Sequence, residues 1–200
     1  LSVRSSLGDA TIKGSASGFT DSINARYNLV LTMNKLNLGV LLKDTGKTFG
    51  LVTGRLAAKG RGYDPHYANA TFHAIVRSAG IKQYNYQNLR LDGSIAEQQL
   101  TLAGGIRDPN ISLSLDANGN FATAYPSLRL RMQVDTLQTL PLHLTADTLF
   151  YRGLLTANFP STHPDSLEGN LLLTQSLLVK NNLKVPMDTL QLAAGSNDSG

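Results

Sequence analysis

The chain has 200 residues, a formal net charge of +4 at pH 7, 42% hydrophobic residues and 16% charged residues. This balance excludes a disordered tail, which would carry more charge and less apolar surface. Cysteine is absent, which excludes a disulfide scaffold and a cysteine-based zinc site. No run of about 18 apolar residues exists, so no transmembrane helix is predicted within the sequence.

Apolar and polar residues alternate with a period of two along almost the whole chain. Such alternation is typical of β-strands that have one buried and one exposed face. In the first half of the sequence the alternating segments are 23–33, 36–42, 52–58 and 68–76. In the second half they are 89–95, 100–106, 111–115, 128–134, 140–144 and 149–159, with fainter ones at 171–173 and 190–192.

The connections between these segments predict how the strands are joined. Short connections at 96–98 (AEQ), 107–110 (RDPN) and 117–120 (ANGN) are predicted hairpin turns, because parallel strands would need long crossovers. No segment shows the spacing of an amphipathic helix. We therefore predict an all-β chain of roughly a dozen strands in one meandering antiparallel sheet. Larger loops are predicted at 43–49, 61–67 and 160–167.

Arginine residues occupy polar positions of this alternation. They are predicted to point away from the apolar face, where charge keeps a sheet from stacking on another. The basic balance would also suit nucleic acid or an anionic membrane surface, but a solvated strand face is the favoured interpretation. No aromatic RNA-binding strand motif is present, so no nucleic-acid partner is predicted. These arginines are Arg26, Arg55, Arg77, Arg90, Arg107, Arg129, Arg131 and Arg152.

The sequence carries no motif that predicts an enzyme. The stretch DTGKT at Asp44–Thr48 lacks the first glycine of a phosphate-binding loop, since position 41 is Leu41. It also lacks the second DTG that aspartic proteases need. The four histidines have no metal-ligand spacing, and no nucleophile elbow occurs. We predict a protein with no catalytic residues, no metal and no cofactor.

A sheet with one apolar face must cover that face, and three covers are compatible with the pattern. The sheet could pack as a filled sandwich, as in a β-repeat structural protein or adhesin. It could close as a soluble lipid-binding barrel. It could also curl into an open trough whose apolar inside is shielded by aliphatic ligand. The leucine-rich face without tryptophan favours the trough, because acyl chains need aliphatic walls rather than shaped pockets.

Glycines fall in phase with the apolar positions of several segments. Glycine inside a strand marks a bend or a close approach of backbone. We therefore predict that a line of such glycines is where the sheet folds over. The glycines are Gly54, Gly60, Gly93, Gly104 and Gly153.

Two stretches, GLVTGRLAAKGRGYDPHYANATFHAIV from Gly50 and YNYQNLRLDGSIAEQQLTLAGGIRDPNISLSLDANGNF from Tyr84, resemble the TamB family of AsmA-like envelope proteins in its Bacteroidetes form. The family's hairpin series contains G-x-L-x-x-K-G-R-G-x-D-P, then N-L-x-L-x-G and D-P-N-L-x-L. The resemblance covers roughly residues 50–195. The matching positions are Gly54, Leu56, Lys59–Gly62, Asp64–Pro65, Asn88, Leu89, Leu91, Gly93, Asp108–Asn110 and Leu113.

The resemblance implies a long periplasmic protein anchored in the inner membrane of a Gram-negative bacterium. Its body would be a taco-like β-sheet with an open hydrophobic groove that moves phospholipid towards the outer membrane. A BamA-type outer-membrane barrel, TamA, would be a partner through regions outside these residues. Since the sequence does not begin at a methionine, we expect residues 1–200 to be a single stretch of that longer protein, without separate domains.

The apolar positions of the alternation are the predicted lining of the lipid groove. They are Ala25, Tyr27, Leu29, Leu31, Met33, Leu38, Val40, Val52, Leu56, Phe72, Ala74, Val76, Leu89, Leu91, Ile95, Leu100, Leu102, Ile106, Ile111, Leu113, Leu115, Leu128, Leu130, Met132, Leu149, Tyr151 and Leu155.

Tripeptides of the form Asp-Ser/Thr-apolar recur at irregular spacing. In the phylum that the resemblance implies, such tripeptides carry O-glycans in exported proteins. The competing interpretation is that Asp and Thr simply begin strands, and we favour it. The candidate O-glycosylation residues are Ser22, Thr136, Thr148, Ser166 and Thr189.

Overall fold

The structure of the chain, a computed structural model, describes residues 2–5, 8–46, 48–163 and 168–194. Within these residues it contains twelve strands and one single-turn helix. The strands are β1 (Ser2–Ser5), β2 (Gly8–Ser17), β3 (Arg26–Asn37), β4 (Phe49–Arg61), β5 (Asn69–Ile81), β6 (Tyr84–Ala96), β7 (Gln99–Arg107), β8 (Ile111–Asn120), β9 (Ser127–Gln138), β10 (Leu149–Ser161), β11 (Glu168–Lys180) and β12 (Leu183–Ala194), and the helix is α1 (Leu38–Leu41).

All twelve strands belong to one sheet whose spatial order is the order of the sequence. Each strand pairs antiparallel with its predecessor, so the sheet is a continuous meander. In the described residues β1 and β12 are not neighbours, so the sheet is not closed into a barrel. The predicted all-β, antiparallel architecture is confirmed.

The predicted strand over 36–42 ends early, and the prediction of strand positions for Leu38 and Val40 was wrong. The Asn37 side chain accepts a hydrogen bond from the Val40 backbone N–H at 3.1 Å, which caps α1 at its start. The Leu42 N–H donates to the Leu38 carbonyl at 2.9 Å and closes the turn. The alternating apolar residues at the end of β3 therefore fold into one helical turn. The hydrogen bond to the Asn37 side chain competes there with the backbone hydrogen bonds of a strand.

The predicted strand over 140–144 was also wrong, because these residues form turns between β9 and β10. The Leu144 N–H donates to the Thr139 carbonyl at 3.0 Å, and the Thr145 hydroxyl donates to the Thr139 hydroxyl at 2.6 Å. Leu142 is fully buried inside this loop. The loop reaches across to the β5–β6 turn, where Nδ1 of His143 lies 2.9 Å from the Lys82 carbonyl oxygen.

The ANGN stretch at 117–120 is the end of β8 rather than a turn. The turn follows it, where the Asn120 side chain accepts from the Ala122 N–H at 2.8 Å. Residues 117–120 stay in β8 because they pair with strands on both sides, as Ala117 does with Leu102 in β7 and Leu130 in β9. A sequence that is typical of a turn is thus kept in a strand by β7 and β9.

Register irregularities in several strand pairs border one row of paired residues. They lie beside Met33 in β3, Gly54 between β4 and β5, Leu113 between β8 and β9, and Gly153 in β10. We call this the bulge line. The backbone is left-handed beside it at Lys35 (φ 50°), Asn88 (φ 54°) and Gln175 (φ 49°). Since a bulge bends its strand, aligned bulges predict a bend of the whole sheet.

The five predicted glycines do not form one line across the sheet. Gly60, Gly93 and Gly104 fall in three different rows of the register, whereas Gly54 and Gly153 both border the bulge line. Non-glycine residues such as Lys35 supply most of the left-handed conformations at the bulge line. The position of the bulges depends on ladder pairing, which a single strand's sequence does not reveal.

Asp108 ties the β7–β8 turn to the beginning of β6. It is 7% exposed and accepts hydrogen bonds from the Gln87 N–H at 3.0 Å, the Asn110 N–H at 2.9 Å and the Tyr84 hydroxyl. The Asn110 amide also donates to the Tyr84 hydroxyl at 3.0 Å. The hydrogen bond and charge of Asp108 add to burial in raising the pKa of Tyr84. The DPN motif thus acts as a polar clamp between two hairpins.

Candidate functional site

The central apolar row crosses eleven strands without interruption by a polar residue. Each member is the direct cross-strand partner of the next, so their side chains stand side by side on one surface. From β2 to β12 the row is Ile12, Leu31, Leu56, Ala74, Leu91, Gly104, Leu115, Met132, Leu155, Leu173 and Leu190.

A second row beside it alternates large and small residues from β3 to β11. The Phe72 ring lies over Gly93, where an added Cβ would stand 2.2 Å from the ring carbon Cζ. Large side chains therefore fill the space that small neighbours leave, which keeps the surface even. From β3 to β12 the row is Leu29, Ala58, Phe72, Gly93, Leu102, Ala117, Leu130, Ala157, Leu171 and Leu192.

Two further apolar rows flank these on the same surface, and we call the four rows together the apolar face. One flanking row is Ala16, Tyr27, Gly60, Ala70, Ile95, Leu100, Gly119, Leu128 and Phe159. The other borders the bulge line and is Ala10, Met33, Gly54, Val76, Leu89, Ile106, Leu113, Val134 and Gly153.

The apolar face is half-buried rather than covered. Most of its leucines, including Leu91, Leu102 and Leu130, have intermediate exposure. The chain exposes 12,910 Å², whereas a compact protein of 21.5 kDa exposes about 9,200 Å². The larger area is consistent with a single open sheet that is not covered by a second layer. Among the described residues, no filled core of the size that a sandwich requires is present.

The most buried large side chains of this surface flank the bulge line. Ile106 is 7% exposed and Val134 is 2% exposed on one side of it, and Leu36 at 9% and Val52 at 7% lie on the other. The side chains of the apolar face are thus packed most closely beside the bulge line.

The opposite surface of the sheet is polar. All eight predicted arginines are exposed there, as predicted. At its centre Asp92 accepts a hydrogen bond from Arg90 Nε at 3.1 Å and contacts Nδ1 of His73 on β5. The two surfaces differ in how far they expose a side chain of the same size. Ala103 on the polar surface is exposed, whereas Ala117 on the apolar face is 8% exposed.

The His73 contact makes the polar surface sensitive to acid. The hydrogen bond from His73 lowers the pKa of Asp92 below its ordinary value of 3.8, and Arg90 lowers it further. A lowered pKa means that Asp92 contributes stability above the ordinary value and loses it as the pH falls through the folded-state pKa. We expect His73→Ala to move the Asp92 pKa up towards 3.8, measured by NMR titration of the carboxyl group.

The matched control for this titration is His66→Ala. Nδ1 of His66 lies 3.2 Å from Asp64 in the β4–β5 loop, and the His66 backbone N–H first and the His66 side chain second lower the pKa of Asp64. His66→Ala removes only the side-chain hydrogen bond, so it should raise the Asp64 pKa in part and leave that of Asp92 unchanged. An Asp92 pKa that stays unchanged in His73→Ala would contradict the assignment.

Most predicted groove residues fall on the apolar face or continue it beyond the bulge line. Val52, Ile111, Leu149 and Tyr151 lie beyond the line, where Tyr151 pairs with Leu137 and Leu178. Three predicted residues lie elsewhere. Ala25 is buried in the β2–β3 turn, Leu38 lies in α1, and Val40 in α1 is 53% exposed.

The predicted lining left out several residues of the apolar face. Most small ones were omitted, although Ala10 and Ala16 in β2 and Ala117 and Ala157 near the centre keep the same phase as their larger neighbours. The larger Ile12, Val134 and Phe159 were omitted too. The residues of β11 and β12 were judged faint because their polar positions also carry apolar residues such as Leu172. Register recovers all of these residues.

The candidate O-glycosylation residues occupy different environments. Thr148 is exposed directly before β10, Thr189 is exposed within β12, and Thr136 lies half-buried within β9. Ser22 lies in the β2–β3 turn, and Ser166 lies outside the described residues. The interpretation that the tripeptides begin strands holds at Thr148 and fails at Thr136 and Thr189, which are inside strands. Glycosylation of these residues stays a prediction.

Within the described ranges, no group of three or more His, Cys, Asp or Glu side chains is placed to hold a metal ion. No helix in that part of the chain has the length and apolar character needed to cross a membrane. Comparison with family models, curated proteins and solved structures found no match. The geometry of the two surfaces therefore carries the functional argument.

Proposed function

We propose that the chain is a stretch of a non-enzymatic conduit that carries phospholipid along an apolar β-groove, through the periplasm towards the outer membrane. The observation that carries the proposal is the apolar face, which runs from β2 to β12 without a polar interruption and is left half-exposed. An apolar surface of this extent needs a cover, and acyl chains supply one that can move along it.

Three features favour an open groove over the alternatives. The bulge line bends the sheet, the side chains beside it are the most buried of the surface, and the β9–β10 loop contacts the β5–β6 turn through His143 and Lys82. Together they support a sheet curled around its apolar face. A closed lipid carrier would need its edge strands paired, and a packed adhesin would need more buried side chains in the described part of the chain.

The resemblance to the TamB family is consistent with this proposal. Part of its motif falls at hairpin ends, with Lys59–Gly62 at the end of β4 and Asp108–Asn110 in the β7–β8 turn. The apolar motif residues Leu56, Leu91 and Leu113 lie on the apolar face itself. By the same resemblance, we propose a periplasmic protein anchored in the inner membrane, with a TamA-type barrel as a partner of regions outside these residues.

Native mass spectrometry of the purified chain tests whether it carries lipid. We expect phospholipid to copurify, because an uncovered apolar face takes up acyl chains during purification from cells. A chain that arrives free of lipid and remains folded in aqueous buffer would contradict the proposal.

Photo-crosslinking tests where the lipid lies. Crosslinkers at Leu91, Leu102 and Leu113 on the apolar face should capture phospholipid. Those one residue away, at Arg90 and Thr101 on the polar surface, should not, because successive strand residues face opposite sides. Equal capture at both sets would contradict a groove formed by the apolar face.

A further inference from the structure

An exposed apolar cluster projects from the connection between β3 and β4. Val40 is 53% exposed, Leu41 56% and Leu42 60%, and Phe49 and Leu51 at the start of β4 are 41% and 50% exposed. We call these five residues the β3–β4 tip. Single exposed apolar residues are ordinary, but several together mark a surface that meets another apolar phase.

The backbone of the tip is held by polar groups and does not depend on its apolar side chains. Asn37 caps α1, and the Asp44 carboxylate accepts from the Gly46 N–H at 3.0 Å and the Phe49 N–H at 2.7 Å. The Asp44 N–H donates to the Gly39 carbonyl at 2.8 Å. Val40, Leu41 and Leu42 are therefore not needed to shape the loop, and their exposure calls for another role.

Three lysines surround the tip. Lys35 lies at its base and Lys43 follows α1, while Lys82 belongs to the adjacent β5–β6 turn, where its N–H donates to the Thr48 carbonyl at 2.8 Å. All three are exposed, and none forms an ion pair within the described ranges. The Asp44 carboxylate accepts hydrogen bonds from backbone N–H groups and keeps its negative charge. The three lysines outnumber it, so the net charge around the tip is positive.

We propose that the β3–β4 tip inserts into the surface of a bilayer that contains anionic phospholipid. Aliphatic side chains at the end of a hairpin reach the boundary between headgroups and acyl chains, and surrounding lysines bind the anionic headgroups. A protein partner fits less well, since protein interfaces favour aromatic residues and arginine and are depleted in lysine. The proposal concerns the end of a hairpin and does not require acyl chains on the apolar face.

Vesicle cosedimentation of the whole chain tests this proposal. We expect binding to phosphatidylcholine vesicles that contain phosphatidylglycerol and weaker binding to pure phosphatidylcholine vesicles. The double variant Leu41→Ser/Leu42→Ser should lower the affinity for the anionic vesicles by at least about tenfold, because two exposed side chains no longer enter the apolar layer. Lys43→Glu should lower it by roughly fivefold, and less so at high salt.

The control is Ile75→Ser, which removes an apolar side chain that is 43% exposed on the polar surface, away from the tip. It should bind anionic vesicles as the unaltered chain does. Circular dichroism should show the same strand content in all variants. Vesicle binding that the double variant retains would overturn the proposal. So would a chain that ignores vesicles but forms a dimer that Leu41→Ser/Leu42→Ser disrupts, which would identify the tip as a protein contact.

Lipid copurification and vesicle binding can fail separately. A chain that carries phospholipid but does not bind anionic vesicles would contradict membrane insertion of the β3–β4 tip and leave the lipid-conduit proposal unaffected. A chain that binds vesicles through the tip but carries no lipid would contradict the lipid-conduit proposal and support membrane insertion of the tip.

Discussion

Leu102→Asp should abolish lipid capture while leaving the sheet folded. Leu102 lies near the centre of the apolar face, between Gly93 and Ala117, and its side chain is half-buried. A carboxylate there opposes the passage of acyl chains and keeps part of its hydration in an open groove. The free energy of unfolding should therefore fall by only about 1–2 kcal/mol.

A packed core gives the opposite result for the same substitution. A carboxylate in a dry core is an unpaired buried charge. It lowers the free energy of unfolding by several kcal/mol, and the protein then fails to fold. Urea denaturation followed by circular dichroism and lipid analysis by mass spectrometry measure the two effects on one sample. Thr101→Asp, on the polar surface of the same strand, is the matched control. It removes the 2.7 Å hydrogen bond between the Thr101 and Ser94 hydroxyls but should leave lipid capture unchanged. An aggregated Leu102→Asp protein would end the conduit proposal.

Asp108→Ala should be the most destabilising substitution of a polar residue in this group of tests. The change removes the acceptor of three hydrogen bonds at a site that is 7% exposed, and leaves the Tyr84 hydroxyl and the Gln87 and Asn110 N–H groups without it. Asp108 is buried but its donors belong to half-buried or exposed residues that water can reach, so we expect the free energy of unfolding to fall by about 1–3 kcal/mol. Urea denaturation measures it.

Two further variants define the origin of that loss. Asp108→Asn keeps one acceptor oxygen and should lose less than Asp108→Ala. Asp116→Ala removes an exposed carboxylate from the polar surface of the neighbouring strand, and should stay within about 0.5 kcal/mol of the unaltered chain. Equal midpoints for Asp108→Ala and Asp116→Ala would show that the clamp does not stabilise the hairpins.

The strands could be predicted because their alternation is local. In β6, β7 and β8, residues such as Leu91, Leu102 and Leu113 recur with a period of two, and short turns such as 96–98 leave antiparallel pairing as the available arrangement. The polar placement of the arginines follows from the same period. Leu38 and Val40 also keep that period, yet they fold into α1 because Asn37 offers a side-chain cap.

The sequence by itself determined that this protein is an antiparallel meander with one apolar and one polar surface, because strand period and turn length are properties of neighbouring residues. The tertiary structure decided how the strands line up. It placed Leu102 beside Gly93 and Ala117, aligned the bulges beside Met33 and Leu113, and brought Asp108 to Tyr84. These relations depend on cross-strand register, which is set by the pairing of residues distant in sequence and by no single segment.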